Sequence, residues 1–228
     1  QKMWAYAATK RIQFIFGFPN NNIWEINKNL MNWKELSAIK TYKIDISLAL
    51  SDFSIIDGTV TIMNKIKFDR RYDQFFEIYK SEKKNQIILK SDKHYLNWRY
   101  KQHPLNDYTI FERVKDKVLI GYIIIKVYED STKNKIINVV EIKSLNQDLK
   151  ETIVQLLITI SDYAKKFNID TINLWLPMNA KKRSILKTIG FYDSLQTTNF
   201  GYRSINNQNK ILHQTGYWDI DMFMSDVY

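Results

Sequence analysis

One local pattern occurs twice in this chain, 158 residues apart. Residues 14–36 read FIFGFPNNNIWEINKNLMNWKEL and residues 172–195 read INLWLPMNAKKRSILKTIGFYDSL. Pro19 and Pro177 each close an apolar run, with Asn21 and Asn179 two residues later and Trp33 and Phe191 fourteen residues beyond each proline. Upstream, with one residue of slippage, Tyr6-Ala7 to Ile12 matches Tyr163-Ala164 to Ile169. A proline ends a strand because it donates no amide and fixes φ, and an asparagine just after it suits a helix cap. Each copy therefore reads as helix, strand, Pro–Asn turn, helix, strand. The second copy has about a hundred residues of further structure before it and the first has almost none. The expectation is one full unit preceded by the tail of another, in a chain cut or processed at its start.

Composition sets the outer limits. A 228-residue chain with 45% hydrophobic and 14% aromatic residues can build a proper core. The absence of cysteine excludes disulfides and thiolate metal sites and fits a reducing, cytoplasmic setting. No apolar run approaches the ~20 residues that span a bilayer, so no membrane association is expected. No signal peptide is visible, although a chain that begins with Gln is open to having lost one. The net charge of +10 favours anionic partners. Its lysines (Lys80, Lys83, Lys84, Lys90, Lys93, Lys165, Lys166, Lys181 and Lys182 among them) are scattered, however, and form no basic stripe with interleaved aromatics. Nucleic-acid binding is therefore the weak reading. His94, His103 and His213 show no ligand spacing, and no metal is expected.

Periodicity and turn chemistry predict helices over 2–11, 23–30, 70–80, 92–101, 147–168 and 181–189, and strands over 13–18, 34–46, 64–68, 108–114, 118–128, 135–143, 171–176, 196–205 and 212–223. Ile23, Ile26 and Leu30 give the second helix one apolar face. Residues 48–64, with turn signals at Ser51-Asp52 and Asp57-Gly58, read as a connection. Pro104 stops the helix that carries YLNWRYKQHP. The clearest helix is 147–168, whose Leu149, Ile153, Leu156, Leu157, Ile160, Ala164 and Phe167 step by three and four. Strand 171–176 is apolar enough to need cover on both faces, and Gly190 ends the helix after it.

From residue 64 onward the order β-α-α-β-β-β-α-β-α-β-β resembles the GNAT (GCN5-related N-acetyltransferase) superfamily. GYIIIK at 121–126 is similar to its third strand, IINVVEIKSL at 136–145 to its fourth and TINLWLP at 171–177 to its fifth. The spacing from Asn179 to Gly190-Phe191 is similar to the ending of its following helix. YLNWRYKQHP and the late WDIDMF look like a bacterial and archaeal branch of tandem GNAT proteins. The resemblance implies an α+β, three-layer fold: a mixed, mostly antiparallel twisted sheet flanked by helices, preceded by the C-terminal fragment of a second GNAT-like unit. It divides the chain into that fragment (1–46), a connection (47–63) and a complete GNAT-like domain (64–228). It implies an acetyltransferase or other acyltransferase, taking acetyl-CoA or another acyl-CoA as co-substrate and acylating a small amine, for which the subfamily suggests an amino sugar. It also implies a partner, either a missing N-terminal GNAT-like domain or a second copy in a homo-oligomer.

Several positions bear on that chemistry. On the resembling pattern the cofactor would meet Ile142, Lys143, Ser144, Lys150 and Asn179. Glu141, a carboxylate in mid-strand, is the candidate general base; the opposing reading pairs it with a lysine at the strand edge. Arg99, Trp175, Asp219 and Asp221 are the candidate substrate residues: Arg99 facing a carboxylate or phosphate, Trp175 or Asn173 looking into the cleft, and the two aspartates on one face of the last strand. A solvated strand face is the blander reading of those aspartates. Two features dissent. The stretch 146–151 at the start of the long helix has no glycine, and its Asp148 and Glu151 would repel a phosphate. Leu186 occupies the position where many members of the superfamily carry a proton-donating tyrosine. The alternative expectation is a non-catalytic GNAT-like domain that supports acceptor binding or a catalytic partner.

Overall fold

A computed structural model describes residues 2–48, 59–63, 67–176, 180–205 and 210–225. Their strands form a single eight-stranded sheet, and its order shows how the repeat is used. The elements, in chain order, are α1 (Lys2–Thr9), β1 (Phe14–Gly17), α2 (Asn21–Met31), β2 (Lys34–Asp45), β3 (Thr59–Met63), α3 (Arg70–Glu82), α4 (Lys93–Leu96), β4 (Thr109–Lys115), β5 (Val118–Glu129), β6 (Lys135–Ser144), α5 (Leu149–Lys166), β7 (Thr171–Leu176), α6 (Ala180–Thr188) and β8 (Tyr192–Ser204). Across the sheet the order is β1-β8-β2-β7-β6-β5-β4-β3, antiparallel everywhere except the β6–β7 pair.

The two copies of the pattern are α1-β1-α2-β2 and α5-β7-α6-β8, and they exchange their last strands. β2, from the first copy, pairs with β7 of the second; β8, from the second, pairs with β1 of the first. β2 and β8 meet at the centre, where Ile39 pairs with Thr198 and Lys40 with Thr197. Under the 158-residue offset Ile39 corresponds to Thr197 and Lys40 to Thr198. Each of these pairs is thus the counterpart of the other, as an antiparallel ladder requires when a local two-fold axis runs through it.

Caps and turns act where the sequence places them. Asn20 Oδ1 accepts from Ile23 N at the start of α2, and Asp69 and Asp92 cap α3 and α4 in the same way. Gly190, at φ +97°, takes the left-handed position after α6. One layer of core lies between the sheet and α5–α6, and includes Ile123, Ile137, Leu156, Ile160, Ile172, Ile185 and Phe191. The opposite face carries α3, α4 and the C-terminal segment over Tyr72, Phe75, Tyr100, Tyr122, Val140 and Phe223. A third, aromatic group joins Trp175, Phe200, Trp218, Ile220 and Met222.

Four predicted elements change. The strand expected over 64–68 is replaced by β3, inside the expected connection: residues 64–66 lie outside the described residues, as do the turn signals at 51–52 and 57–58, while Lys67 and Phe68 are not in a strand. The strand expected over 212–223 is a run of 3₁₀ turns with one isolated bridge, Ile87 to Trp218. Helix 92–101 is α4 followed by a π turn, Asn97–Lys101, and Trp98 on it is 59% exposed rather than core. Finally, the Ile23, Ile26, Leu30 face of α2 points outward, with Leu30 79% exposed. Trp24 and Asn27 are the buried residues of this helix. Trp24 lies against Gly201, where a Cβ would fall 2.4 Å from the indole ring, so the backbone of β8 and not the helix's most apolar stripe sets its rotation.

Candidate functional site

The site grows from one irregularity in β6. Ile124 pairs with Glu141 and Ile125 with Val139, leaving Val140 as an extra residue. Such a bulge re-aims the side chains that follow it. Ile137, Val139 and Ile142 face the α5 layer, whereas Val140, Glu141 and Lys143 face α3 and the C-terminal segment. The β6–β7 pairing also ends here, at Val139 with Leu174. Beyond it β7 continues alongside β2, and among the described residues no strand pairs with the outer edge of β6 at 140–144. The two parallel strands therefore splay apart at the bulge.

The splay is filled from within. None of the residues at 140–144 is more than 6% exposed. Glu141, fully buried, accepts from Tyr122 Oη at 2.7 Å and Tyr100 Oη at 2.8 Å. Burial pushes its carboxyl up to about 7, and Asp221 adds to the rise; Lys143 and the two hydroxyls oppose it. Lys143 Nζ lies 2.7 Å from Asp219 Oδ2 and 2.5 Å from Asp221 Oδ2, the latter out of line for a hydrogen bond. Tyr79 Oη donates to Asp219 at 2.5 Å, and Lys143 sits over the rings of Tyr79 and Phe223 at 5.4 and 5.8 Å. Lys182, from α6 on the far side of the splay, comes within 3.5 Å of Asp219 Oδ1. Burial alone would raise the Asp219 carboxyl, but Lys143 and then Lys182 outweigh it and hold the group well below the usual carboxylate range. Burial likewise works against the Lys143 ammonium, and Asp219 and Asp221 more than restore it. Half-buried Lys83, beside the same aspartate, is pushed down, chiefly by burial.

The start of α5 is acidic. Asp148 makes no side-chain cap and lies 3.5 Å from Lys115, Glu151 is paired with Arg113, and Asn146 N donates to Glu82. A cleft of about 540 Å³ beside it is lined, among the described residues, by Glu82, Asp116 and Asp148 against Lys115. A phosphate placed there would meet three carboxylates and one ammonium.

The sequence-level candidates are thus rearranged. Glu141, Lys143, Asp219 and Asp221 come together, but as a buried cluster; the two aspartates occupy an extended stretch between 3₁₀ turns instead of a solvated strand face. Arg99 donates to the carbonyls of Phe223 and Ser225 at 3.0 and 2.8 Å. Trp175 is buried in the aromatic group with Phe200 and Ile220. Ile142 is core, Ser144 Oγ donates to Leu145 O, and Lys150 is exposed. Leu186 is core and donates nothing; Asn179 lies outside the described residues. Tyr79, Tyr100, Tyr122 and Lys182 were not foreseen. Tyr122, in the apolar strand GYIIIK, did carry a signal, since a buried tyrosine requires a hydroxyl partner.

No protein-family model matches the sequence, and neither does any curated protein. Solved structures do match it. A GCN5-related N-acetyltransferase from Anabaena variabilis superposes with a TM-score of 0.60 at 10% identity, over 90% of this chain and 49% of that one. A probable N-acyltransferase from Enterococcus faecalis gives 0.64 at 10%, over 90% and 48%. N-myristoyltransferase from Saccharomyces cerevisiae, with bound myristoyl-CoA, gives 0.53 at 13%, over 74% and 50%. The chain has the GNAT fold. It spans about half the length of each of these three structures. Among the described residues of this GNAT-fold chain, no helix is long and apolar enough to cross a membrane, and no cluster of His, Cys, Asp and Glu could hold a metal ion.

Proposed function

We propose that this GNAT-fold chain is the non-catalytic, acceptor-supporting part of an N-acyltransferase that moves an acyl group from acyl-CoA to a small amine, and that a GNAT-like partner unit carries the cofactor. One observation carries the reading: the splay between β6 and β7, where acyl-CoA lies in the GNAT pattern, is held shut by the chain's own Lys143–Asp219–Asp221 cluster, with Lys182 closing from the other side. The acidic start of α5 acts in the same direction. Buried ions make such a closure firm, because opening it would strand a charge without its partner.

A second reading, catalysis in this copy, is favoured by Glu141. Its carboxyl stands near 7, a value suited to taking a proton from an amine at neutral pH. Using it would require the C-terminal segment to leave the splay. Isothermal titration with acetyl-CoA separates the two readings. The expected outcome is no heat of binding up to about 1 mM cofactor, the weak limit of useful affinity. Binding at about 1 μM would overturn the non-catalytic reading and return Glu141 to the role of base.

A further inference from the structure

A second cleft, of about 300 Å³, opens where the Pro–Asn turn of the first copy meets β8. Its floor includes Phe18, a half-buried ring held rigid by stacking on Phe200 (4.9 Å between centroids, 12° between planes) and by Trp175 at 5.2 Å. Its rim is made of amides and hydroxyls: Asn20, Asn21, Thr197, Thr198 and Asn199. Among the described residues no ionisable side chain lines it, although the chain as a whole carries a net charge of +10.

The amides are pre-set. Asn20 spends its oxygen on the N-cap of α2, which leaves its NH₂ for a ligand. Asn199 Nδ2 donates to Asn21 Oδ1 at 3.0 Å and approaches Pro19 O at 3.4 Å. That contact orients both side chains and leaves one amide oxygen, on Asn199, and one NH₂, on Asn21, without a partner among the described residues. At the far end the backbone of Ser225 is fixed by Arg99. An aromatic face with paired amide donors and acceptors and threonine hydroxyls around it matches a sugar ring, which presents C–H groups on one face and hydroxyls at its edge. Among the described residues an anion or cation would find no counter-charge there.

We infer that this cleft is a binding site for an uncharged carbohydrate ring, the neutral sugar part of an acceptor whose amine lies outside the cleft. The inference rests on the acceptor-supporting reading above and names its ligand class. Because the two copies exchange strands, the site takes its turn from one copy and its rim strand from the other.

The test is ¹H–¹⁵N NMR of the full chain titrated with N-acetylglucosamine and methyl glucoside, with glucosamine and glucose 6-phosphate as charged counterparts. Expected are shifts of the Asn21 and Asn199 side-chain amides and the Thr198 amide with a millimolar Kd. Asn199→Ala should weaken binding about tenfold, as should the milder Asn199→Asp if it preserves the fold better. Absence of shifts with both neutral sugars, shifts confined to other residues, an undiminished response in both variants, or tighter binding of a charged sugar would each overturn the assignment. Acetyl-CoA is titrated separately. Cofactor binding alongside the sugar response would refute the non-catalytic reading and leave the site standing, whereas failure of the sugar arm alone would remove the site and leave that reading intact.

Discussion

At the scale of single residues, the buried charges are the chain's most expensive feature. Glu141, Lys143, Asp219 and Asp221 are all at most 5% exposed, and each ion removed from water costs several kcal/mol before its partners repay it. Glu141 is the member whose protonation is set by this environment, its carboxyl raised from an ordinary 4.5 to about 7, mainly by burial. A raised carboxyl means that the folded chain holds the proton more tightly than the unfolded one. Between pH 4.5 and 7 unfolding then releases a proton, so this group makes stability fall as pH rises through that window, and its effect is level above 7. The fall is on the order of 3 kcal/mol. Urea unfolding of Glu141→Gln and the wild-type chain at pH 4.5 and 7.5 should show a clearly smaller loss in the variant. Equal losses in the two proteins would mean that the Glu141 carboxyl is not raised by folding.

At the scale of elements, close backbone approaches decide more than apolar stripes. The outward Ile23, Ile26 and Leu30 face of α2 looks like a core face in sequence, since a helix ordinarily buries its most apolar side. Trp24 against Gly201 reverses that, because an indole on a glycine brings helix and strand closer than any stripe of branched side chains can. Gly201→Ala should cost about 1–3 kcal/mol, the usual penalty for overpacking. Gly216→Ala, whose added Cβ meets nothing within 4 Å, should be near neutral. Urea midpoints for the two variants check this, and equal midpoints would show that the Trp24 contact does not hold α2. The bulge at Val140 is a local decision of the same kind. The doubled valine in VVEIK interrupts the alternation, and the register with Ile124 and Ile125 shows that the interruption is an extra residue.

At the scale of the whole molecule, residues 1–46 are inseparable from the rest. β2 lies between β7 and β8 and pairs with both, so removing it would expose a full strand edge on each side. A chain of residues 47–228 should therefore aggregate or lose cooperative unfolding, and co-expression with residues 1–46 should restore a soluble complex. Soluble, cooperatively unfolding 47–228, judged by near-ultraviolet circular dichroism and a urea titration, would show that the first copy is an accessory.

The repeat, the long helix, the asparagine cap after Pro19, the Gly190 stop and the β4–β5 strand pair were legible in the sequence because each shows in a short stretch of residues. The exchange of last strands between the copies was not legible, because pairing partners more than a hundred residues apart leave no local trace. Nor was the fate of the charged residues. Sequence supplied Glu141, Lys143, Asp219 and Asp221 as separate candidates for a cleft. Only the tertiary structure decided that they meet as one buried cluster, because a carboxylate and an ammonium choose between water and each other according to what folds around them.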